Sequence, residues 1–202
     1  YHKAIEINPN DSRIHYNLGA AQKKQGKLDN AIQTYHQAIG INPDDAEIYN
    51  SLGTTLQKQE KLDQAIQVYH RALEINSNYS EASYNLGLAL QQQGKLDRAI
   101  QSYHRALDIN PNYSAAYNNL GLVLQEQGKL DHAVQSYHRA LDINPNYSEA
   151  YNNLGIALKE QEKLDDAVTA YRRALKINPD YSEAHNNLGK AYYEAGKLKI
   201  AR

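Results

Sequence analysis

Apolar and small residues recur along the chain at helical spacing, in paired runs divided by polar punctuation. One pair shows the pattern. Ala116, Tyr117, Leu120, Gly121 and Leu124 fall on one side of a helix. Gly128 follows, where a left-handed helix stop is wanted. A second run places Leu130, Ala133, Val134, Tyr137, Ala140 and Leu141 on one face. Asp131 sits in its first turn, where the helix dipole favours an anion. Asn144-Pro145 ends it, because Pro cannot continue a helix and biases its predecessor away from helical angles. The pattern predicts helices near 115–127 and 131–143. Tyr147 or Ser148 opens the next unit, with Ser148 a candidate N-cap.

The same pair recurs without insertion or deletion. Asn-Leu-Gly starts at Asn17, Asn85, Asn119, Asn153 and Asn187, always in steps of 34 or its double. With Ser12 as position 1, full repeats span 12–45, 46–79, 80–113, 114–147 and 148–181. Residues 1–11 are the tail of a preceding repeat, and 182–202 the front of a following one. The repeats starting at Ser80 and Ser114 agree at 27 of 34 positions, which removes chance periodicity as an explanation. The whole of 1–202 reads as one array.

Particular positions identify the unit. Leu-Gly stands at positions 7 and 8 in every copy, from Leu18-Gly19 to Leu188-Gly189. Position 20 is always Ala (Ala31, Ala65, Ala99, Ala133, Ala167, Ala201) and position 24 always Tyr (Tyr1, Tyr35, Tyr69, Tyr103, Tyr137, Tyr171). Position 27 is Ala throughout, and position 32 is Pro except at Ser77. This pattern resembles the tetratricopeptide repeat (TPR) family over the full chain; pentatricopeptide repeats, usually one residue longer, fit worse. The resemblance implies an all-α fold, a right-handed α-solenoid of antiparallel helix pairs. First helices would line a concave groove and second helices the convex side. Small residues at 8, 20 and 27 allow close helix approach. There are departures. Position 4 holds His15, Tyr49, Ser83, Tyr117, Tyr151 and His185 where the family has Trp. Gln22 occupies a core position. Glu60 and Glu162 replace Gly at the helix stop, at ~1 kcal/mol each if left-handed angles are kept.

Composition narrows the chemistry. The 202 residues include 17 Tyr but no Phe, Trp, Met or Cys. Without Cys there is no disulfide, thiolate zinc site or cysteine nucleophile. Lys and Arg number 22 against 23 Asp and Glu, so the basic excess usual in nucleic-acid binders is missing. No apolar run approaches the ~18 residues of a membrane span. No leader-like segment opens the chain, and a cytoplasmic location is expected. Mean hydropathy is -0.77, which suits an elongated molecule with much surface per residue.

By the resemblance, function lies on the concave stripe of the first helices. Position 6 carries Asn17, Asn85, Asn119, Asn153 and Asn187, with Ser51 the exception. Asn is a poor helix former, so helix propensity does not account for the ladder. Its carboxamide both donates and accepts, and can pair with the backbone of an extended peptide. The ladder resembles that of the TPR superhelix of O-linked N-acetylglucosamine transferase and of importin-like solenoids. The alternative is that these Asn bridge adjacent repeats or solvate the surface. Position 5 adds Asn50, Asn118, Asn152 and Asn186. At position 9, Leu88, Leu122 and Ile156 form an apolar strip suited to partner side chains, or else to packing between repeats.

Position 13 runs Lys24, Lys58, Gln92, Glu126, Glu160, Glu194, from basic to acidic. An extended ligand would lie with its acidic part by the first repeats and its basic part by the last; a solvated face of drifting charge is the plain alternative. The Lys/Asn/Arg carboxylate clamp of some TPR co-chaperones is missing, since position 6 is never basic. His recurs at position 25 (His2, His36, His70, His104, His138), but equivalent sites ~10 Å apart cannot share one ion. No metal site, cofactor or catalytic constellation is expected. The expected function is a protein-interaction scaffold binding an extended peptide segment of a partner; the alternative is the substrate-recognition arm of a larger enzyme such as a glycosyltransferase. Solenoids normally end in polar caps, and none is visible at either end. End-to-end self-association is therefore also expected.

Overall fold

The computed structural model describes residues 2–200, with side chains described for 3–196. Tyr1, Ala201 and Arg202 lie outside the described residues, as does the side chain of His2. Among the described residues all regular structure is α-helical: α1 (His2–Ile7), α2 (Ser12–Lys24), α3 (Leu28–Ile41), α4 (Ala46–Lys58), α5 (Leu62–Ile75), α6 (Ser80–Gln92), α7 (Leu96–Ile109), α8 (Ser114–Glu126), α9 (Leu130–Ile143), α10 (Ser148–Glu160), α11 (Leu164–Ile177) and α12 (Ser182–Ile200). From α2 onward each first helix begins at position 1 of a repeat, one residue earlier than the periodicity predicts. The fold is an all-α helical solenoid.

The chain divides into two compact units between Ile109 and Asn110. In the first, α2 pairs with α3, α4 with α5 and α6 with α7, while α3 packs on α4 and α5 on α6. In the second, α8 pairs with α9 and α10 with α11; α9 packs on α10, and α11 on α12.

One contact explains the invariant residues. In the five complete repeats the Tyr at position 24 packs against the Gly at position 8 of its own repeat. A Cβ on Gly121 would stand 2.6 Å from Cε1 of Tyr137, and one on Gly53 would stand 2.5 Å from Cε1 of Tyr69. No side chain fits there. In the five complete repeats the Ala residues at 20 and 27 are fully buried. Burial pushes the Tyr69, Tyr103 and Tyr137 hydroxyls well above the usual phenol range, and those of Tyr35 and Tyr171 to about 12. They remain protonated, and those of Tyr69, Tyr103 and Tyr137 donate to Gln side chains.

Helices stop as the glycines foretell. Gly26, Gly94 and Gly128 take φ of 76°, 71° and 73°, and Glu60 and Glu162 keep the same left-handed turn at 61°. After α8, the Gly128 amide donates to the Gln125 carbonyl (2.8 Å) and the Lys129 amide to that of Leu124 (2.9 Å). These two bonds satisfy the last turn's orphan carbonyls. The loop after the second helix is an Asx turn: Asn144 Oδ1 accepts from the Asn146 amide at 3.2 Å.

Three expectations change. Ser148 is the first helical residue of α10, and the N-cap is Tyr147, which makes no side-chain capping bond. True caps appear only early, where Asp11 and Asp45 accept amide hydrogens through their carboxylates. Gln22, odd at a core position, accepts a hydrogen bond from the Thr34 hydroxyl at 2.8 Å, so its polar end is satisfied. The last unit also differs, because α12 continues through Gly196 to Ile200 instead of stopping there. In complete repeats the reversal at position 15 is compensated when the next helix buries its Ala and Tyr on the first.

Candidate functional site

The Asn residues are connected in pairs across repeats. Asn85 Nδ2 donates to Asn50 Oδ1 at 2.9 Å. Asn153 donates to Asn118, and Asn187 to Asn152, each at 3.0 Å. The rule is the same in both units: position 6 donates to position 5 of the preceding repeat. The two residues are adjacent on their helix, so one helical step turns position 5 under the surface and leaves position 6 at its edge.

This places the expected site residues in two classes. Asn50, Asn118 and Asn152 are buried, Asn152 with 0% exposure. They had been expected to face a ligand. Instead their amides are engaged by the next repeat. Asn50 Nδ2 donates to Tyr79 Oη and Glu81 Oε1, both at 3.3 Å. Asn152 Nδ2 donates to Glu183 Oε1 at 3.3 Å. Burying an unpaired amide is costly, and these pairings remove that cost. Asn186 is exposed. Of the ladder itself, Asn17 is exposed, Asn119, Asn153 and Asn187 are half-buried, and Asn85 is buried. Each bridged ladder Asn uses one N–H in its bridge. A carboxamide has two such donors and an acceptor oxygen, so capacity is left over. The bridge also fixes the side chain, which lowers the entropy cost of any further hydrogen bond it makes.

Leu88 in the first unit, and Leu122 and Ile156 in the second, are half-buried at position 9. Lys24 and Lys58 are exposed in the first unit; Glu126, Glu160 and Glu194 are exposed in the second. The second helices carry His36, His70, His104 and His138 on exposed positions.

A connection that the sequence reading missed runs through position 12. The Tyr69 hydroxyl donates to Gln57 Oε1 at 2.9 Å, and Gln57 Nε2 donates to Gln92 Oε1 at 2.8 Å. In the second unit, Tyr137 donates to Gln125 at 3.0 Å and Gln125 to Glu160 at 2.8 Å. The core of one repeat is thus tied to position 13 of the next. The signal was present: position 12 is Gln in the three central repeats and Lys in the outer two, Lys23 and Lys159. Where Lys159 stands, the buried Tyr171 hydroxyl has no partner, and Lys159 approaches Glu194 at 3.6 Å. Gln92, Glu160 and Glu194 at position 13 are therefore held by the preceding repeat.

Helix pairs repeated at 34 residues, closed on a Gly–Tyr contact and joined by side-chain bridges, define a repeat-built α-solenoid. Family models described as TPR repeat match residues 23–60, 57–94, 90–128 and 157–196. Models described as tetratricopeptide repeat match 114–147, 1–33 and 137–169. The chain belongs to the tetratricopeptide repeat family. Solved structures agree. A MamA protein aligns with a TM-score of 0.74 at 27% identity, over 85% of this chain and 94% of that one. YrrB, a TPR protein with an unusual peptide-binding site, aligns at 0.73 with 24% identity, over 92% and 95%. TTC0263, a thermophilic TPR protein of Thermus thermophilus, aligns at 0.69 with 23% identity, over 90% and 99%. No curated protein sequence matches the chain. Among the described residues no helix is long and apolar enough to cross a membrane.

Proposed function

We propose that the chain is an interaction scaffold that holds an extended peptide segment of a partner protein along its first helices. The backbone of that segment pairs with Asn17, Asn85, Asn119, Asn153 and Asn187, and its apolar side chains rest on Leu88, Leu122 and Ile156. The observation that carries this reading is the Asn–Asn bridge. It aims the ladder carboxamides repeat after repeat, so the same backbone interaction recurs along the helices. The buried Asn50, Asn118 and Asn152 position the ladder from below and do not touch the ligand. The likeness to YrrB concerns the fold and is compatible with this reading. The reading includes end-to-end association of copies through their terminal repeats.

Lys24 and Lys58 favour an acidic portion of the ligand on the first unit; Glu126, Glu160 and Glu194 favour a basic portion on the second. The test is calorimetry with peptides selected for binding from a random library. Asn17→Ala, at an exposed position, should weaken binding several-fold, near the ~1 kcal/mol of one hydrogen bond, with unchanged thermal stability. Reversing a peptide's charge order should weaken it at low salt and matter less at high salt. Equal affinities for both orders, or an Asn17→Ala variant that binds as tightly as the parent, would sink the reading.

A further inference from the structure

Position 4 of the first helix faces the second helices, and in most repeats a ring fills it. The Arg173 guanidinium stacks over the Tyr151 ring at 5.9 Å. His15 and His185 reach back to the carbonyls of Pro9 and Pro179, at 2.9 and 2.8 Å. The repeat 80–113 departs from this. Its residue is Ser83, with 0% exposure and a hydroxyl that has no hydrogen-bond partner. A buried hydroxyl without a partner is uncommon and calls for an explanation.

The space beside it is a cavity of about 190 Å³ among α5, α6 and α7. Leu73, Leu86 and Leu90 supply apolar walls, Arg98 and Arg105 supply its charged groups, and the His70 imidazole lies beside them. No acidic side chain lines it. Arg105 reaches the Ser77 carbonyl at 3.1 Å, at the one repeat that lacks Pro at position 32. Glu74 acts on His70 from outside, but is itself paired with Arg71 at 3.0 Å. A cavity of ~150 Å³ already holds a benzene ring. Here the walls fit a ring, Ser83 offers a hydroxyl, and two guanidinium groups await an acid.

The equivalent hollow in the second unit is an internal contrast. Its volume is about 480 Å³, but Tyr151 stands at the position of Ser83, and Asp166 replaces Arg98. The aromatic position there is filled from within, and one acid, Asp166, offsets the single guanidinium of Arg173 in the lining.

We infer that the Ser83 cavity is a binding site for a small aromatic carboxylic acid, with the ring at the aromatic position that Ser83 leaves open and the carboxylate on Arg98 and Arg105. The guanidinium fork matches a carboxylate with two parallel hydrogen bonds. The site lies on the second-helix side and is separate from the ladder, so its occupancy does not depend on a peptide in the groove.

The test is a titration of the whole chain with 4-hydroxyphenylacetate, followed by amide chemical shifts, beside p-cresol and acetate. The acid should shift residues around His70, Ser83 and Arg105, and should bind about tenfold more tightly than p-cresol. Acetate should produce no saturable shift there. Arg105→Gln, an exposed substitution, should lower the affinity of the acid towards that of p-cresol. Ser83→Tyr supplies the missing ring, as in the repeat that carries Tyr151, and should abolish binding while raising the melting temperature. Should Ser83→Tyr misfold, Arg98→Gln joined to Arg105→Gln decides the matter. The inference is overturned by no shift at these residues, by equal affinity for p-cresol, or by binding that survives both kinds of variant.

Discussion

At the scale of the residue, the Gly–Tyr contact sets the tolerance of every repeat. The ring of Tyr137 is fully buried, so it cannot swing aside for a methyl group on Gly121. Gly121→Ala should therefore destabilise the protein by about 1–3 kcal/mol, read as a lower urea midpoint. A midpoint unchanged from the parent would show that the helices part more easily than the 2.6 Å approach implies. Residue identities at 7, 8, 20, 24 and 27 were legible because each repeats and each has a simple steric duty. Burial of the position 5 Asn was not. It depends on how far one repeat rotates against the next, and periodicity within a repeat is silent on that rotation. The pairing of Gln22 with Thr34 was hidden for a related reason: two departures twelve residues apart compensate one another only once α2 and α3 are side by side.

At the scale of the element, helix lengths and stops followed from the pattern, while their caps did not. Position 34 is Asp in Asp11 and Asp45, which cap, and Tyr from Tyr79 onward, which does not. Those later Tyr residues are turned to packing instead. The hydroxyl of Tyr79 accepts from Asn50, and burial raises its pKa to about 12. The stop at position 15 offers a clean gain. Glu60 and Glu162 hold φ of 61°, a region open to Gly and strained for a residue with a Cβ. Glu60→Gly and Glu162→Gly should each stabilise by about 0.5–1 kcal/mol, visible in denaturant melts of the single variants. Loss of stability in both would mean that the Glu side chains make contacts that outweigh backbone strain. Helix α12 shows the limit of reading elements by analogy. Gly196 occupies the stop position, yet α12 runs on through it to Ile200.

At the scale of the whole molecule, apolar surface gathers at the outer helices. Ile7 is 85% exposed, and Tyr192 and Tyr193 are 44% and 66% exposed. In inner repeats the surface of a first helix is covered by its second helix. Sedimentation velocity over a wide range of protein concentration should show a shift towards larger species as concentration rises. Tyr192→Ser combined with Tyr193→Ser should reduce it. A single concentration-independent boundary would count against association through these helices.

The Asn–Asn bridge spans 35 residues wherever it occurs. Donor and acceptor therefore recur with the repeat itself. If a gene rearrangement removes the 34 codons of repeat 80–113, the new seam brings Asn50 to Asn119 and the bridge can close as before, whereas a seam at Tyr16 or Tyr84 offers no such pair. A partial block would leave a buried amide stranded. The protein can thus change its length only in whole units, and the span available to a peptide grows or shrinks by one rung at a time.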